Sequence, residues 1–120
     1  MQKKILIVDD SATIRNQLTS TLAPAGYQLV EAGDGIEGLQ RVQSEPDISL
    51  AICDVNMPRM DGIEMITKLS EEGVKFPIVM LTTEGQAAMI QKAKAAGARG
   101  WIVKPFNPSQ LIKVVQKLAV

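Results

Sequence analysis

The sequence contains no histidine, and this absence removes several kinds of chemistry at once. A Ser-His-Asp triad, a histidine-ligated zinc site and a phosphohistidine intermediate all need an imidazole, so none of them can form within this chain. The single cysteine, Cys53, excludes an internal disulfide, and its place in an apolar run indicates a small buried side chain. Any reactive site must therefore use carboxylates, hydroxyls and lysine.

Net charge and long apolar runs are also missing. Thirteen Lys and Arg residues balance thirteen Asp and Glu residues, so overall charge does not mark the surface for nucleic acid or an anionic membrane. Only four apolar residues follow Lys3 and Lys4 before two acids, far short of a signal-peptide core or a membrane-spanning helix. We expect a cytoplasmic monomer that recognises its partners through local patches.

Short apolar runs alternate with helix-period segments along the 120 residues, a length that suits one domain without a second, output-type domain. Strict alternation of this kind favours a parallel sheet covered by helices on both faces. The sequence therefore predicts a single α/β domain, a three-layer sandwich of five strands and five helices. The predicted strands are residues 5–8, 28–31, 50–53, 78–81 and 101–103, and the predicted helices are residues 12–23, 35–44, 62–72, 86–96 and 108–118.

Polar residues follow four of the five predicted strands. Open parallel sheets bind ligands beyond the carboxyl ends of their strands, so we expect these side chains to meet at one rim. Perturbed and converging titratable groups in a crevice are typical of a functional site, whereas scattered helix caps are not. The residues are Asp9 and Asp10 after the first strand, Asp54 after the third, Thr82 and Thr83 after the fourth, and Lys104 after the fifth.

Three carboxylates at one rim repel each other, and a bound divalent cation would resolve that conflict. A set of oxygen ligands without His or Cys selects a hard ion, and few protein ligands with room for water suit Mg²⁺ better than Ca²⁺. An aspartate can accept a phosphoryl group if the charge on the transferring oxygens is neutralised. Lys104 offers a positive charge for that purpose, and the Thr82 hydroxyl offers a hydrogen bond.

Four segments resemble the receiver domains of bacterial two-component response regulators, in the order and spacing typical of that family. The resemblance covers the whole chain and is strongest to the stand-alone chemotaxis regulators. It implies a flavodoxin-like fold with strand order 2-1-3-4-5, an order that comes from the family and not from these residues. The segments are Ile5-Leu6-Ile7-Val8-Asp9-Asp10-Ser11, Asp54-Val55-Asn56-Met57-Pro58-Arg59-Met60-Asp61-Gly62, Leu81-Thr82-Thr83-Glu84 and Val103-Lys104-Pro105-Phe106.

The resemblance gives each residue of the predicted rim a role. It implies that Asp54 is the phospho-acceptor and that Lys104 contacts the phosphoryl group. Asp9 and Asp10 would bind Mg²⁺ together with Asp54 and the backbone carbonyl of Asn56. The peptide bond between Lys104 and the following proline is expected to be cis, as in the family.

Four further positions concern the lifetime and read-out of the phosphoryl group. The family tunes self-dephosphorylation at the positions of Asn56 and Glu84, and this pair matches the chemotaxis regulators, so we predict a short-lived phosphoryl group removed by water. Trp101 stands where the family usually has Tyr, Phe or His, and Thr83 is bulkier than the usual Ala or Gly. A hydroxyl-based switch is unavailable, but Trp101 can still move between exposed and buried rotamers.

The function implied by the resemblance is a switch and not an enzyme, apart from self-phosphorylation and self-dephosphorylation. A histidine kinase would phosphorylate Asp54 with Mg²⁺, and phosphorylation would change the binding of a target such as a flagellar motor switch protein. The alternatives within this class are a phosphorelay carrier and a phosphate sink. We place the moving and binding surface on the fourth helix and fifth strand, where Trp101 is expected beside Lys92, Arg99 and Lys113.

Several residues also have plainer interpretations. Asp9-Asp10-Ser11 would serve as a helix cap, and Asp61-Gly62 is interpreted as a turn. The segment Gly33-Asp34-Gly35-Ile36-Glu37-Gly38 matches the G-x-G-x-x-G pattern of dinucleotide-binding sites, but its acids stand where a pyrophosphate would lie, which favours a loop and helix start. A haloacid-type phosphatase needs a second aspartate two residues after the nucleophile, and Asn56 stands there. A nucleotide- or cofactor-binding enzyme is thus the less favoured alternative.

Overall fold

The computed structural model describes residues 2–83 and 87–119. Strands and helices alternate through this part of the chain as predicted, so the α/β interpretation is confirmed. The strands are β1 (Lys4–Val8), β2 (Gln28–Ala32), β3 (Ile48–Asp54), β4 (Ile78–Thr82) and β5 (Gly100–Val103), and the helices are α1 (Ala12–Leu22), α2 (Gly35–Ser44), α3 (Gly62–Glu71), α4 (Ala87–Ala96) and α5 (Pro108–Leu118). Within the described ranges, no helix is both long enough and apolar enough to cross a membrane.

The five strands form one parallel sheet in the order β2-β1-β3-β4-β5, which confirms the order implied by the family resemblance. The register aligns the strand ends that matter for the site. Val8, at the end of β1, pairs with Cys53 of β3, and Thr82, at the end of β4, pairs with Val103 of β5. The residues that follow these positions therefore emerge side by side.

The sheet separates two apolar cores because alternate side chains of a strand point to opposite faces. Along β1, Leu6 and Val8 belong to the core covered by α2, α3 and α4, while Ile5 and Ile7 belong to the core covered by α1 and α5. All four side chains are fully buried, and burial of such a side chain is worth roughly 1.5–3 kcal/mol. This packing fixes the sheet on which the polar rim is built.

Polar side chains cap four of the helices at the rim. Each cap accepts a hydrogen bond from a backbone N–H of the first helical turn, which satisfies a donor that the helix leaves unpaired. Asp61 is one of these caps. The dipeptide Asp61-Gly62, for which the sequence predicts a turn, is therefore the start of α3. The caps are Ser11 for α1, Asp34 for α2, Asp61 for α3 and Asn107 for α5.

The predicted bounds of α2 and α5 agree with the structure, and the other described boundaries differ by at most two residues. Asp54 and Thr82 are the last residues of β3 and β4, whereas the sequence placed both residues after the strands. The strand β3 also begins earlier, at Ile48, because Ile48 pairs with Lys4 of β1 across a register shift. The fourth helix was predicted from Gln86, which lies outside the described residues.

Candidate functional site

Three carboxylates converge where β1 and β3 end. Asp9, Asp10 and Asp54 each offer an oxygen, and these oxygens lie within 4.8 Å of one another. Asp9 and Asp54 are buried, while Asp10 is exposed. The convergence follows from the sheet, since β1 and β3 are neighbours with aligned ends. The predicted acidic rim is therefore present in the fold.

Lys104 reaches the same acids from the edge strand β5. Its Nζ lies 3.1 Å from Asp9 Oδ2 and 3.2 Å from Asp54 Oδ1. The Lys104 backbone N–H donates to the Thr82 carbonyl at 2.6 Å, and the bond from Lys104 to Pro105 is cis, as expected from the family. Residues from the ends of four strands, widely separated in sequence, are thus brought to one rim.

The charges at the rim are unbalanced. Burial raises the pKa of Asp54, and the neighbouring charge of Asp9 raises it further, with Lys104 acting in the opposite direction. Burial alone would lower the pKa of Lys104, but the charges of Asp54 and Asp9 outweigh it and hold that pKa above its ordinary value. One lysine therefore stays charged beside three carboxylates, and the excess negative charge favours a bound cation.

The donor set fits Mg²⁺. Asp9 Oδ2 is buried and, apart from its ionic contact with Lys104, has no hydrogen-bond partner among the described residues; Thr82 Oγ1 is likewise a buried hydroxyl without one there. Hard cations prefer carboxylate oxygens, and Mg²⁺ usually takes one or two carboxylates and keeps several waters. Asp9, Asp10 and Asp54 would hold the ion and leave room for water or phosphate oxygens.

Two of the predicted tuning residues, Asn56 and Thr83, follow the strands β3 and β4, and the structure does not test their roles. Asn56 is exposed two residues beyond the end of β3, and the role of its carbonyl as a metal ligand stays a prediction. Thr83 is exposed directly after β4. Glu84, the second predicted determinant of dephosphorylation, lies outside the described residues.

Trp101 lies on the edge strand with 40% of its surface exposed. The Nζ atom of Lys94, on α4, stands 4.3 Å from the centroid of the indole ring, within the range of a cation–π contact. The sequence pointed to other basic residues near Trp101 and not to Lys94, because a contact between a helix and a strand cannot be read from spacing. Exposure of Trp101 agrees with its proposed place on a binding surface.

Arg15 supports the site and was missed by the sequence reasoning. Its Nη1 donates to the Asp9 carbonyl at 2.6 Å, while its Nε donates to Glu31 of β2 at 3.1 Å. Asp9 Oδ1 in turn accepts from the Ser11 N–H at 2.9 Å, and Ser11 caps α1. The segment Asp9-Asp10-Ser11 therefore caps α1 through Ser11, as its plainer interpretation expected, while Asp9 also lies at the acidic rim beside Lys104. The only available signal was the position of Arg15 four residues after the cap.

The fold and the pocket together define a class of protein: a doubly wound α/β domain with an aspartate-rich, lysine-paired site where β1 and β3 end. Comparison with known proteins names the family. The chain belongs to the response regulator receiver domains, matching the family over residues 5–116. It is therefore a receiver domain of a two-component response regulator.

Three relatives have similar sequence identity to this chain, although their names indicate different roles. Chemotaxis protein CheY1 of Helicobacter pylori is 39% identical over 90% of both chains. The structure of chemotaxis protein CheY4 of Vibrio cholerae superposes with a TM-score of 0.89 at 42% identity, covering 98% of this chain and 99% of that one. The transcriptional regulatory protein PdtaR of Mycobacterium tuberculosis is 40% identical over 95% of this chain, which spans 55% of that longer protein.

Proposed function

We propose that this receiver domain accepts a phosphoryl group on Asp54 from a histidine kinase, with Mg²⁺ held by Asp9, Asp10 and Asp54. Phosphorylation would then switch the partners that the domain binds. The observation that carries the proposal is the contact of Lys104 Nζ with Asp54 Oδ1 at 3.2 Å, beside the carboxylates of Asp9 and Asp10. The same lysine also contacts Asp9, so within the described residues one cation faces a cluster of three carboxylates.

The chain's own residues divide the work of the transfer. A carboxylate oxygen of Asp54 forms the bond to phosphorus as the bond from phosphorus to the kinase histidine nitrogen breaks. Because burial raises the pKa of Asp54, that oxygen is more basic than the oxygen of an exposed aspartate. When bound, Mg²⁺ would neutralise part of the negative charge on the phosphoryl oxygens. Lys104 and the Thr82 hydroxyl would bind the remaining phosphoryl oxygens.

The domain is proposed to act as a switch and not as an enzyme on other substrates. Asn56 and Glu84 would set the rate at which water removes the phosphoryl group, as the family resemblance implies. A cytoplasmic location belongs to the same proposal.

We further propose that the switch serves chemotaxis through a flagellar motor switch protein, with a kinase of the chemotaxis type as phosphodonor. The support is the similarity to two proteins named as chemotaxis proteins over nearly their whole lengths. The binding surface is placed on α4 and β5. Trp101 and Val103 are the exposed large apolar side chains in the described part of the chain, and both lie on β5.

The test follows Trp101 fluorescence while Mg²⁺ and beryllium fluoride, a phosphoryl mimic, are added. We expect a saturable change in wild type that is lost in Asp54→Asn. Asp47→Asn is the matched control, because Asp47 is an exposed carboxylate that directly precedes the opposite end of β3. Equal responses of wild type and Asp54→Asn would refute the coupling of Trp101 to the site.

A phosphorelay carrier or phosphate sink is the second candidate, because the similarity to a transcriptional regulatory protein shows that likeness of this degree is not confined to chemotaxis proteins. The two roles differ in the partner that phosphorylation selects. Capture from an extract of the source cells with and without the mimic should enrich a motor switch protein only in its presence if the role is chemotactic. Enrichment of a histidine phosphotransfer protein alone would favour the relay.

A further inference from the structure

The connection between β3 and α3 carries a strained residue that the proposed chemistry does not explain. This connection, here called the β3–α3 loop, is residues 55–61 and includes Asn56. The Gly62 N–H donates to the Val55 carbonyl at 2.9 Å and closes the base of the loop. Arg59, near its tip, has φ of 63°, a left-handed conformation that a long side chain rarely adopts. Something outside the loop must hold it in this shape.

The Arg59 side chain is held by Asp34, at the start of α2. Arg59 Nε donates to Asp34 Oδ2 at 2.7 Å, and Nη2 of the same guanidinium contacts the same oxygen at 2.5 Å. The other oxygen of Asp34 accepts from the Glu37 N–H at 2.9 Å and caps α2. Both oxygens of this buried carboxylate are therefore used, one inside its helix and one on the loop.

The charge of Asp34 is secured by these contacts. The hydrogen bond from the Glu37 N–H is the largest influence and lowers the pKa of Asp34, and Arg59 lowers it further against the opposing effect of burial. The ion pair is thus present throughout the neutral range. A charged hydrogen bond to a buried carboxylate orders a side chain more firmly than a bond between exposed groups.

A backbone contact ties the loop to α2 a second time. The Gly35 N–H donates to the Met60 carbonyl at 3.3 Å. A Cβ atom at Gly35 would stand 2.7 Å from both the Met60 carbonyl oxygen and the Met60 Cγ, so only glycine lets the two segments approach this closely. Asp34 and Gly35 therefore contact two successive residues of the loop.

We propose that Asp34 and Arg59 are positioning residues that hold the β3–α3 loop against the start of α2 and thereby set the affinity of the site for Mg²⁺. The proposal rests on the proposed function, because it needs the cation to bind beside Asp54 and Asn56 on this loop. Neither Asp34 nor Arg59 touches the cation. They act through the loop, as outer contacts of metal sites commonly do.

For Arg59→Gln, long-range electrostatics and loss of positioning predict opposite changes in Mg²⁺ affinity, which makes the proposal testable. Removing the positive charge of Arg59 should tighten Mg²⁺ binding if only long-range charge matters, since the cation would meet less repulsion. Loss of positioning should weaken binding instead. The double variant Asp34→Asn with Arg59→Gln leaves the local net charge unchanged, so any change in its affinity reports positioning alone.

The experiment measures the Kd for Mg²⁺ alone by calorimetry in wild type, Asp34→Asn, Arg59→Gln and the double variant. Asn retains an oxygen to cap α2, and Arg59 is largely exposed, so these chains should fold. Lys68→Gln, an exposed position on α3, is the control for loss of one positive charge. We expect Arg59→Gln and the double variant to raise the Kd by similar factors, roughly tenfold, the lower end of the range for outer contacts.

Amide hydrogen exchange in the metal-free proteins gives a second reading. The N–H of Gly35 should exchange faster in both Arg59→Gln and the double variant than in wild type, because its hydrogen bond to the Met60 carbonyl depends on the loop. Tighter Mg²⁺ binding by Arg59→Gln, or a wild-type Kd in the double variant, would overturn the positioning role. If wild type itself binds no Mg²⁺, the proposed function fails as well, so the two failures are distinguishable.

Discussion

At the scale of single residues, the carboxylates of Asp9, Asp10 and Asp54 repel one another, and a bound cation would reduce this repulsion. Asp54 has Lys104 as a partner, but Lys104 is shared with Asp9. The raised pKa of Asp54 shows that burial and the neighbouring carboxylate outweigh that lysine. The pocket is therefore arranged for a ligand at some cost to the stability of the free protein, as functional sites often are.

This repulsion predicts the effect of Asp54→Asn on stability. A carboxyl whose pKa is higher in the folded than in the unfolded chain contributes stability only while it is protonated, and loses it as pH rises through the raised pKa. In metal-free solution at pH 7, Asp54→Asn should therefore be more stable than wild type. The difference should vanish as pH falls below the ordinary value of 3.8. Urea unfolding with a chelator present, across the pH range, measures it.

The control for this prediction is Asp47→Asn, which removes an exposed carboxylate and should leave the free energy of unfolding nearly unchanged. A metal-free Asp54→Asn less stable than wild type at pH 7 would show that the contact with Lys104 dominates. The electrostatic description of the pocket would then be wrong.

Residues of the site differ in how far the sequence could predict them. Asp9, Asp54 and Lys104 were found because each ends or follows a strand, and strand ends meet at one edge of a parallel sheet. Arg15 and the pair of Asp34 with Arg59 were not found. Their partners lie 6, 16 and 25 positions away in sequence, and such contacts arise only from packing.

At the scale of elements, the junction of β3 and α3 is the tightest part of the site. A Cβ atom at Gly62 would overlap the backbone carbonyl of Asp54 and would also stand 2.8 Å from the Met80 Cε. The helix α3 can therefore begin beside Asp54 only with glycine at position 62. The sequence showed a glycine after an aspartate but could not show this close approach.

The glycine at this junction predicts a large effect of Gly62→Ala. Overlap with a backbone atom cannot be relieved by rotating a side chain, so β3 and α3 must move apart, at a cost of about 2–3 kcal/mol. Gly100→Ala is the matched control, because a Cβ there meets Leu118 at an ordinary 3.8 Å. Urea unfolding of both variants checks the difference, and an equal stability of the two would contradict the close approach.

Element types were predicted better than element ends. The apolar runs and helix periods identified every strand and helix of the described ranges, because burial on both faces of a parallel sheet leaves a strong pattern. The ends of a strand depend on which of its residues pair with residues of the neighbouring strand. Ile48 is only half-buried, and it joins β3 because Lys4 of β1 pairs with it.

At the scale of the whole molecule, the sheet order makes the site possible. Residues of β1, β3, β4 and β5 reach one rim only when β1 and β3 are neighbours and β4 separates β3 from β5. Alternation of elements predicted a parallel sheet, and right-handed crossovers left few topologies but did not select one strand order. The order 2-1-3-4-5 came from the family resemblance, and the structure confirms it.

The central claim is that Asp54, and no other aspartate at this rim, accepts the phosphoryl group. Its most direct measurement treats the protein with acetyl phosphate and Mg²⁺, reduces the resulting acyl phosphate with borohydride, and sequences two tryptic peptides, residues 5–15 with Asp9 and Asp10 and residues 42–59 with Asp54. We predict homoserine at position 54, absent when a chelator replaces Mg²⁺ and absent in Asp54→Asn. Homoserine at position 9 or 10 instead, or none in wild type with Mg²⁺, would contradict the account.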